Sequence, residues 1–313
     1  MKRIGLFGFG CVAQGLYEIL KKDTSDIEIV RICIKNASKT RGVDASLFTV
    51  DPREILDDPG LDAVIELIDD SDSARDIVFE TLQRGIPTVS ANKKMIAENL
   101  SELVRLRATH GTPLLYEGAV AGAIPVLQTL RHYFEGMPFT EIRAILNGST
   151  NFILTRLKQH GVSYDAALRE AQELGFAESD PSLDVQGFDP AYKSVILAYH
   201  GFGALIQPDH VHRTGIDQLT AYQMQQGRKE YSKVKLVSTI RQKGATVTAT
   251  VQPEVITSND PLYPIDDENN AILINGAFSG PQLLVGKGAG SLPTGFAVYQ
   301  DLKKVLELEK VVV

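Results

Sequence analysis

A chain of 313 residues, 43% hydrophobic and 23% charged, is too long for one small core and fits two soluble domains or one elaborated one. A formal net charge of −7 leaves no basic stripe to displace phosphate counterions, which argues against a nucleic-acid binder. No apolar run approaches the roughly 18 residues of a membrane span and no signal-peptide pattern opens the chain, so a cytoplasmic location is expected.

The opening "RIGLFGFGCVAQGLYEILKK" predicts a strand, a glycine turn and a helix with Val12, Leu16, Ile19 and Leu20 on its apolar side. Gly8-x-Gly10-x-x-Ala13 matches the dinucleotide fingerprint with alanine in third place. Gly8 permits the tight turn, Gly10 lets the backbone approach a pyrophosphate, and Ala13 allows close helix–strand contact. The helix N-terminus then offers free N–H groups to the phosphates. "IEIVRICI" and "DAVIELI" are further strands, and "SARDIVFETLQRG" is a helix ending at Gly85. "PTVSANKK" is a fourth strand running into a loop, "MIAENLSELVRLRATHG" one more helix, and "PLLYEGAV" a fifth strand. Strand alternating with helix predicts an α/β fold, a Rossmann-type parallel sheet, over residues 1–125.

After the second strand the acid that would hold the 2′-hydroxyl of NAD is missing. Lys35, Asn36, Lys39 and Arg41 stand there instead, and basic groups suit the 2′-phosphate of NADP. NADP is therefore the preferred expectation over NAD, with a merely solvated lysine as the alternative.

The second half has a different texture. "FTEIRAILNGSTNFILTRL" predicts a strand, a polar turn and a helix, and "SYDAALREAQELG" a helix stopped at Gly175. Asp189-Pro190 is expected to open another helix as N-cap and first helical residue. Its continuation, "AYKSVILAYHGFGALI", is apolar enough to be buried. "KVKLVSTIRQ", "ATVTATVQPEVI" and "NAILINGAF" alternate like strands of a mixed or antiparallel sheet. "GKGAGSLPTGFAVYQDLKKVLELEK" is a second glycine turn leading into a helix. Residues 126–286 are thus read as an α+β domain with a mixed sheet.

Cys11 and Cys33 have no metal-ligand spacing, and the six histidines include only one His-x-His, His210 and His212. Proton transfer then falls to lysines and carboxylates. The stretch "GFAESDPSLDVQGFDPAYK" crowds Glu178, Asp180, Asp184 and Asp189 before a single lysine, Lys193. By itself it could be a solvated acidic loop. Asp189 and Lys193 lie four apart at the start of one helix, so their side chains can share a face.

The segments "GLFGFGCVAQG", "SANKK", "YEGAVAGAIPVLQTL", "ILNGSTNFIL", "AQELGFAESDPSLDVQGFDPAYKSVILA" and "GKGAGSLPTGFAV" occur together and in order, and with them the chain resembles a homoserine dehydrogenase of the short type. The resemblance implies an oxidoreductase that reduces L-aspartate 4-semialdehyde to L-homoserine with NADP or NAD, reversibly, on the branch to threonine and methionine. It implies a homodimer whose second domain, 126–286, carries substrate binding and dimerisation, and a C-terminal segment, 287–313, that packs back on the nucleotide domain. Nothing precedes the nucleotide domain and only Val311–Val313 follow the last helix, so feedback through an attached domain is not expected.

The resemblance also assigns residues. Lys193 and Lys93 go to the reacting end of the substrate, where a cationic amine stabilises a developing alkoxide and can donate the proton. Asp189 orients Lys193 and keeps it charged. Glu178 and Asp184 meet the ammonium and polar atoms of the substrate, with Thr150 and Asn151 as hydrogen-bonding support, although both could equally belong to the cap of the following helix. Asp180 receives no role beyond shaping the loop beside Pro181, and Lys94 is left to the surface. The cofactor set is Gly8, Phe9, Gly10, Cys11, Val12, Ala13, Lys35, Arg41, Ser90, Lys93 and Gly290. Ser291-Leu292-Pro293 departs from the glycine- and alanine-rich pattern of many members. Glu117, Val120, Gly122 and Ile124 correspond to oxygen ligands of a monovalent cation such as Na⁺, although a strand, a small-residue turn and a Pro-started helix would also account for that segment.

Two rivals are weighed. A thiol-acylating semialdehyde dehydrogenase needs a cysteine nucleophile in the second domain, and both cysteines lie in the first. A non-catalytic NAD(P)-binding sensor of the same fold would not need Lys93, Glu178, Asp184, Asp189 and Lys193 together.

Overall fold

The structure, a computed structural model, describes residues 1–23, 26–36 and 41–308, so Lys39 and Val311–Val313 lie outside the described residues. The chain divides into two compact units, Met1–Ala123 with Gly290–Val313, and Ile124–Ala289.

In the first unit, β1 (Lys2–Phe7), β2 (Ile27–Cys33), β3 (Phe48–Thr49), β4 (Ala63–Glu66), β5 (Thr88–Ser90) and β6 (Leu114–Leu115) form one parallel sheet, sheet A, in the order β3-β2-β1-β4-β5-β6. This is the dinucleotide-binding order, with the crevice at the carboxyl ends of the central strands. Ile4, Leu6, Ile32, Ala63, Ile65 and Val89 are buried in one core with Leu16 of the first helix, Cys11–Lys22, and Val298, Leu302 and Val305 of the last, Ser291–Leu308. These two helices pack so closely that a Cβ on Gly15 would lie 2.1 Å from the Ser291 carbonyl oxygen, and one on Gly295 2.6 Å from the Leu16 nitrogen. Ser291-Leu292-Pro293 forms the first turn of the last helix, where the Ser291 hydroxyl donates to the Cys11 carbonyl at 2.8 Å.

Three local expectations differ from what is found. The helix expected after Lys93 is two, Lys93–Glu98 and Leu100–His110, because Asn99 leaves helical geometry at ψ 16° while its amide donates to the Met95 carbonyl. The fifth strand is short, since Gly118–Ala121 turns helical directly after Tyr116-Glu117. Strand β3 escaped notice because two residues carry no periodicity.

In the second unit, β7 (Phe139–Ile145), β8 (His212–Arg213), β9 (Ser232–Lys243), β10 (Thr246–Thr257), β11 (Asn269–Gly276) and β12 (Gly280–Lys287) form sheet B in the order β12-β11-β7-β9-β10-β8. All pairs are antiparallel except β8 with β10, so the sheet is mixed. Ile145, Val237, Ile256, Leu262, Ala271 and Leu273 form a buried cluster in this unit. The helices Gly148–Gln159, Tyr164–Glu173 and Phe188–Phe202 follow β7, and the last of them is buried from Asp189 to Ala198.

Candidate active site

Each unit contributes chemistry of its own. In the first, the chain leaves β1 through Gly8, whose φ of 89° favours glycine and whose absent Cβ would lie 2.4 Å from the Leu67 carbonyl oxygen. Gly10, at the N-cap of the first helix, faces open space, with nothing within 4 Å of a Cβ built on it. No side chain caps this helix, so the N–H groups of its first turn, Cys11, Val12 and Ala13, suit an anionic ligand. A cleft of about 1210 Å³ opens here, lined by Gly8, Phe9, Gly10, Lys35, Arg41 and the loop Leu67–Asp70, among others. Arg41 donates to the Asn36 carbonyl at 2.7 Å and lies 5.4 Å from the centre of the Phe48 ring. An uncapped helix, glycines that spare the approach and two cations at the rim together fit a dinucleotide.

At the ends of β4 and β5 lies a feature that the sequence reading missed. Glu66 is fully buried, and its carboxylate accepts from the Ser90 hydroxyl at 2.5 Å and from the Ile68 N–H at 2.6 Å. Burial pushes this carboxyl up to about 7, against the opposing effect of those two donors. The unfolded chain ionises it near 4.5, so between these values the native state holds more protons and stability falls as pH rises. This stabilisation is fully present below the lower value and lost above the upper one. Glu66→Gln should therefore gain about 3 kcal/mol over wild type at pH 8 relative to pH 4. Urea denaturation of both proteins at the two pH values checks this, and an equal difference at both would refute it. Ser90, in turn, accepts the Asn92 N–H at 3.1 Å, and Asn92 caps the helix that Lys93 opens. Lys93 is half-buried there, and Lys94 is exposed. Gly290 leads into the last helix, its carbonyl accepting the Thr294 N–H at 3.1 Å.

In the second unit, a single asparagine gathers the acidic stretch. Asn147, separated from the end of β7 only by Leu146, caps the Gly148–Gln159 helix by accepting the Thr150 N–H at 2.9 Å. Its amide nitrogen donates to Asp184 at 2.7 Å and to Asp189 at 2.9 Å. The same Asp189 oxygen, Oδ2, accepts from the Lys193 ammonium at 2.7 Å, and Lys193 also donates to the Leu146 carbonyl at 2.7 Å. Asp189 and Lys193 are only 3% and 6% exposed, which sets them apart from ordinary surface ion pairs. Asp184 is half-buried at the edge of the group.

Asp189 is not the N-cap expected of it. Gly187, at φ 79°, turns the chain so that helix begins at Phe188, which puts Asp189 one position inside and frees its carboxylate for Lys193 one turn on. Asp184, Asp189 and Lys193 are thus brought together, while Glu178 is exposed. Asp180 caps the short turn after Pro181, accepting from the Ser182 N–H and hydroxyl. Thr150 stays local, its hydroxyl donating to the Asn147 carbonyl. Asn151 serves a different buried network. Its amide donates to the Ile265 and Asn269 carbonyls and accepts from the buried Lys235, whose ammonium also donates to Asp266 at 2.9 Å. Burial pulls Lys235 down to about 8 despite that carboxylate. Asn147 was within reach of sequence reasoning, since an asparagine before a helix with Thr three residues on is a capping signal. Its contacts to two distant aspartates were not.

Glu117 is buried, and its N–H donates to the equally buried Asp301 at 2.6 Å. Val120 is buried too, and Gly122 ends the short helix at φ 54°. Among the described residues no cluster of three or more His, Cys, Asp or Glu side chains could hold a metal, a finding that does not bear on a carbonyl-lined site. Both cysteines are free and lie in the first unit. No helix among the described residues is long and apolar enough to cross a membrane.

A family model described as homoserine dehydrogenase matches residues 125–302, and its NAD-binding domain model matches residues 8–117. The homoserine dehydrogenase of Bacillus subtilis is 34% identical over 97% of this chain and 73% of its own length. The crystal structure of the Thiobacillus denitrificans homoserine dehydrogenase superposes with a TM-score of 0.92 at 33% identity, over 99% of this chain and 74% of that one. A hyperthermophilic archaeal homoserine dehydrogenase, solved in complex with NADPH, gives 0.83 at 26% identity over 97% and 98%. The parallel sheet with its phosphate-ready turn, the lysine–carboxylate group and these matches agree, and the chain belongs to the homoserine dehydrogenase family of NAD(P)-dependent oxidoreductases.

Proposed function

We propose that the chain interconverts L-aspartate 4-semialdehyde and L-homoserine on the branch to threonine and methionine, with Lys193 and Lys93 at the reacting carbonyl. The observation that carries this reading is the buried Asn147–Asp189–Lys193 group, an ammonium held on its carboxylate by a short bond and shielded from water. When bound, the nicotinamide supplies the hydride that reaches the aldehyde carbon. Lys193 stabilises the negative charge that grows on the aldehyde oxygen and gives it a proton, becoming the neutral amine until solvent reprotonates it. Asp189 keeps Lys193 aimed and favours its charged form. Asp184 and Glu178 attract the substrate ammonium, while Thr150 and Asn151, whose side chains are taken up by Asn147 and Lys235, support the site only through the helix they open. Lys93, at the C-terminal edge of sheet A where ligands of such sheets bind, assists at the same oxygen.

NADP is the preferred cofactor in this reading, with Lys35 and Arg41 on its 2′-phosphate. Both line the cleft at the end of β2, and no acid takes their place. Neutralising both should weaken NADPH at least tenfold and leave NADH within about twofold, as a lost phosphate contact worth more than 1.4 kcal/mol requires. Fluorescence titration of the reduced cofactors reads this, and equal losses for both would remove the preference. A monovalent cation such as Na⁺ on the backbone carbonyls around Glu117, Val120, Gly122 and Ile124 belongs to the same proposal. So does a cytoplasmic homodimer formed through the second unit, whose edge strand β12 exposes Leu283 and Val285. Initial rates with homoserine and each of NAD and NADP test the activity directly. Binding of NAD(P)H without any turnover would leave only a sensor.

A further inference from the structure

Glu66 ends β4 near the middle of sheet A, with Phe7 of β1 paired to it on one side and Ser90 of β5 on the other. Neither neighbour titrates, and Glu66 is 0% exposed. A buried carboxyl group whose hydrogen bonds come from neutral donors alone is an expensive feature, and its position suggests what it is for. Oε1 takes the N–H of Ile68 and Oε2 the hydroxyl of Ser90. Asn92 then closes a ring. Its N–H donates to the Ser90 hydroxyl at 3.1 Å and its amide nitrogen to the Ile68 carbonyl at 2.9 Å. Ile68 is therefore gripped at its N–H by Glu66 and at its C=O by Asn92. One side chain ties together the Leu67–Asp70 loop, which walls the nucleotide cleft, and the Ser90–Asn92 turn, which presents Lys93.

The charged groups around it are few. Asp69 in the following loop disfavours ionisation further. Asp70 caps the Ser71–Gln83 helix through Ser73, and that helix, packed on β4, turns Asp72, Arg75 and Asp76 to solvent. The last helix also packs on β4, and its buried Asp301 accepts the Glu117 N–H. Lys93 and Lys94 open the helix after β5.

We propose that Glu66 is a positioning residue for the nicotinamide nucleotide: its carboxyl group holds the two loops at the C-terminal edge of sheet A, and nucleotide binding is coupled to the proton it carries. The coupling has a definite sign. A pyrophosphate at Gly8–Gly10 sits just beyond Phe7, the residue paired with Glu66. Its negative charge and the water it displaces both disfavour a carboxylate there, so the complex holds the proton more tightly than the free protein. Affinity is then highest where Glu66 is already protonated and declines as pH rises through its free-state value, near 7. Protonation also reverses the Glu66–Ser90 bond, because a neutral Glu66 donates to the hydroxyl and releases the Ser90 hydrogen for another acceptor.

The proposal rests on the first unit as the nucleotide domain, and one experiment separates the two. NADPH is titrated by fluorescence into wild type and Glu66→Gln between pH 6 and 9, so that the cofactor's own titration is common to both. Glutamine keeps both hydrogen bonds of the neutral acid and cannot ionise. Wild type should lose about tenfold in affinity relative to the variant across that range, one pK unit of coupling. Parallel profiles overturn the role of Glu66. Absence of NADPH binding by wild type at every pH overturns the nucleotide-domain reading instead. A second measurement does not require the variant to fold. Calorimetry of NADH binding to wild type at pH 7, in buffers of different ionisation enthalpy, should show uptake of a fraction of a proton, and zero uptake overturns the coupling.

Discussion

Lys193→Met is expected to lower kcat by about three orders of magnitude while leaving the dissociation constant of the reduced cofactor within a few-fold. The ammonium is aimed by Asp189 Oδ2 and the Leu146 carbonyl, and methionine can offer neither charge nor proton. The substitution also has a stability cost that must be separated from the chemistry. Asp189 would remain 3% exposed with the Asn147 amide as its remaining donor of those described above, and breaking a buried pair in this way costs about 3–5 kcal/mol. Lys193→Met combined with Asp189→Asn removes the stranded charge. The double variant should regain most of the stability and none of the activity. Restored turnover in the double variant, or an unchanged kcat in the single one, would remove Lys193 from the chemistry.

Asn147→Ala should cost about 3 kcal/mol of stability and about a hundredfold in kcat/KM. The first figure combines a lost helix cap, about 1 kcal/mol, with lost hydrogen bonds to charged groups. The second reflects Asp184 and Asp189 losing the donor that holds them side by side. Asn147→Asp distinguishes capping from positioning. Aspartate caps a helix as well as asparagine does, but it places a third carboxylate against two others. If positioning matters, the Asp variant is as inactive as the Ala variant at neutral pH and improves on acidification. Denaturant curves and steady-state rates on the two variants decide it, and an active Asp variant would reduce Asn147 to a cap.

The parallel sheet was legible because strands β1, β2 and β4 are apolar runs bounded by glycine or charge, and the fingerprint marked the first turn. Strands β3 and β8, two residues each, were not legible, since such short segments show no period and owe their pairing to neighbours. β12 was missed for a different reason: its apolar residues Leu283, Leu284 and Val285 form one short run between Gln282 and Gly286, so the sequence shows no alternation although half-buried and exposed residues alternate along the strand. Asp189 was expected at a helix cap because Asp-Pro is a strong local signal. The left-handed Gly187 moved the helix start two residues earlier, and the partner waiting on the next turn decided what the carboxylate does.

By itself the sequence determined the alternation of strands and helices, the glycine turn that can take a phosphate, and the presence of lysines and carboxylates in family order. These are local matters of period, backbone freedom and residue type. Only the tertiary structure decided that Asn147 would bridge Asp184 and Asp189, and that Asn151 would be committed to Lys235 instead. It alone decided that Glu66 would be buried without a cation beside Ser90. Desolvation and side-chain pairing depend on which residues lie near in space, and sequence spacing carries no record of that for partners dozens of positions apart.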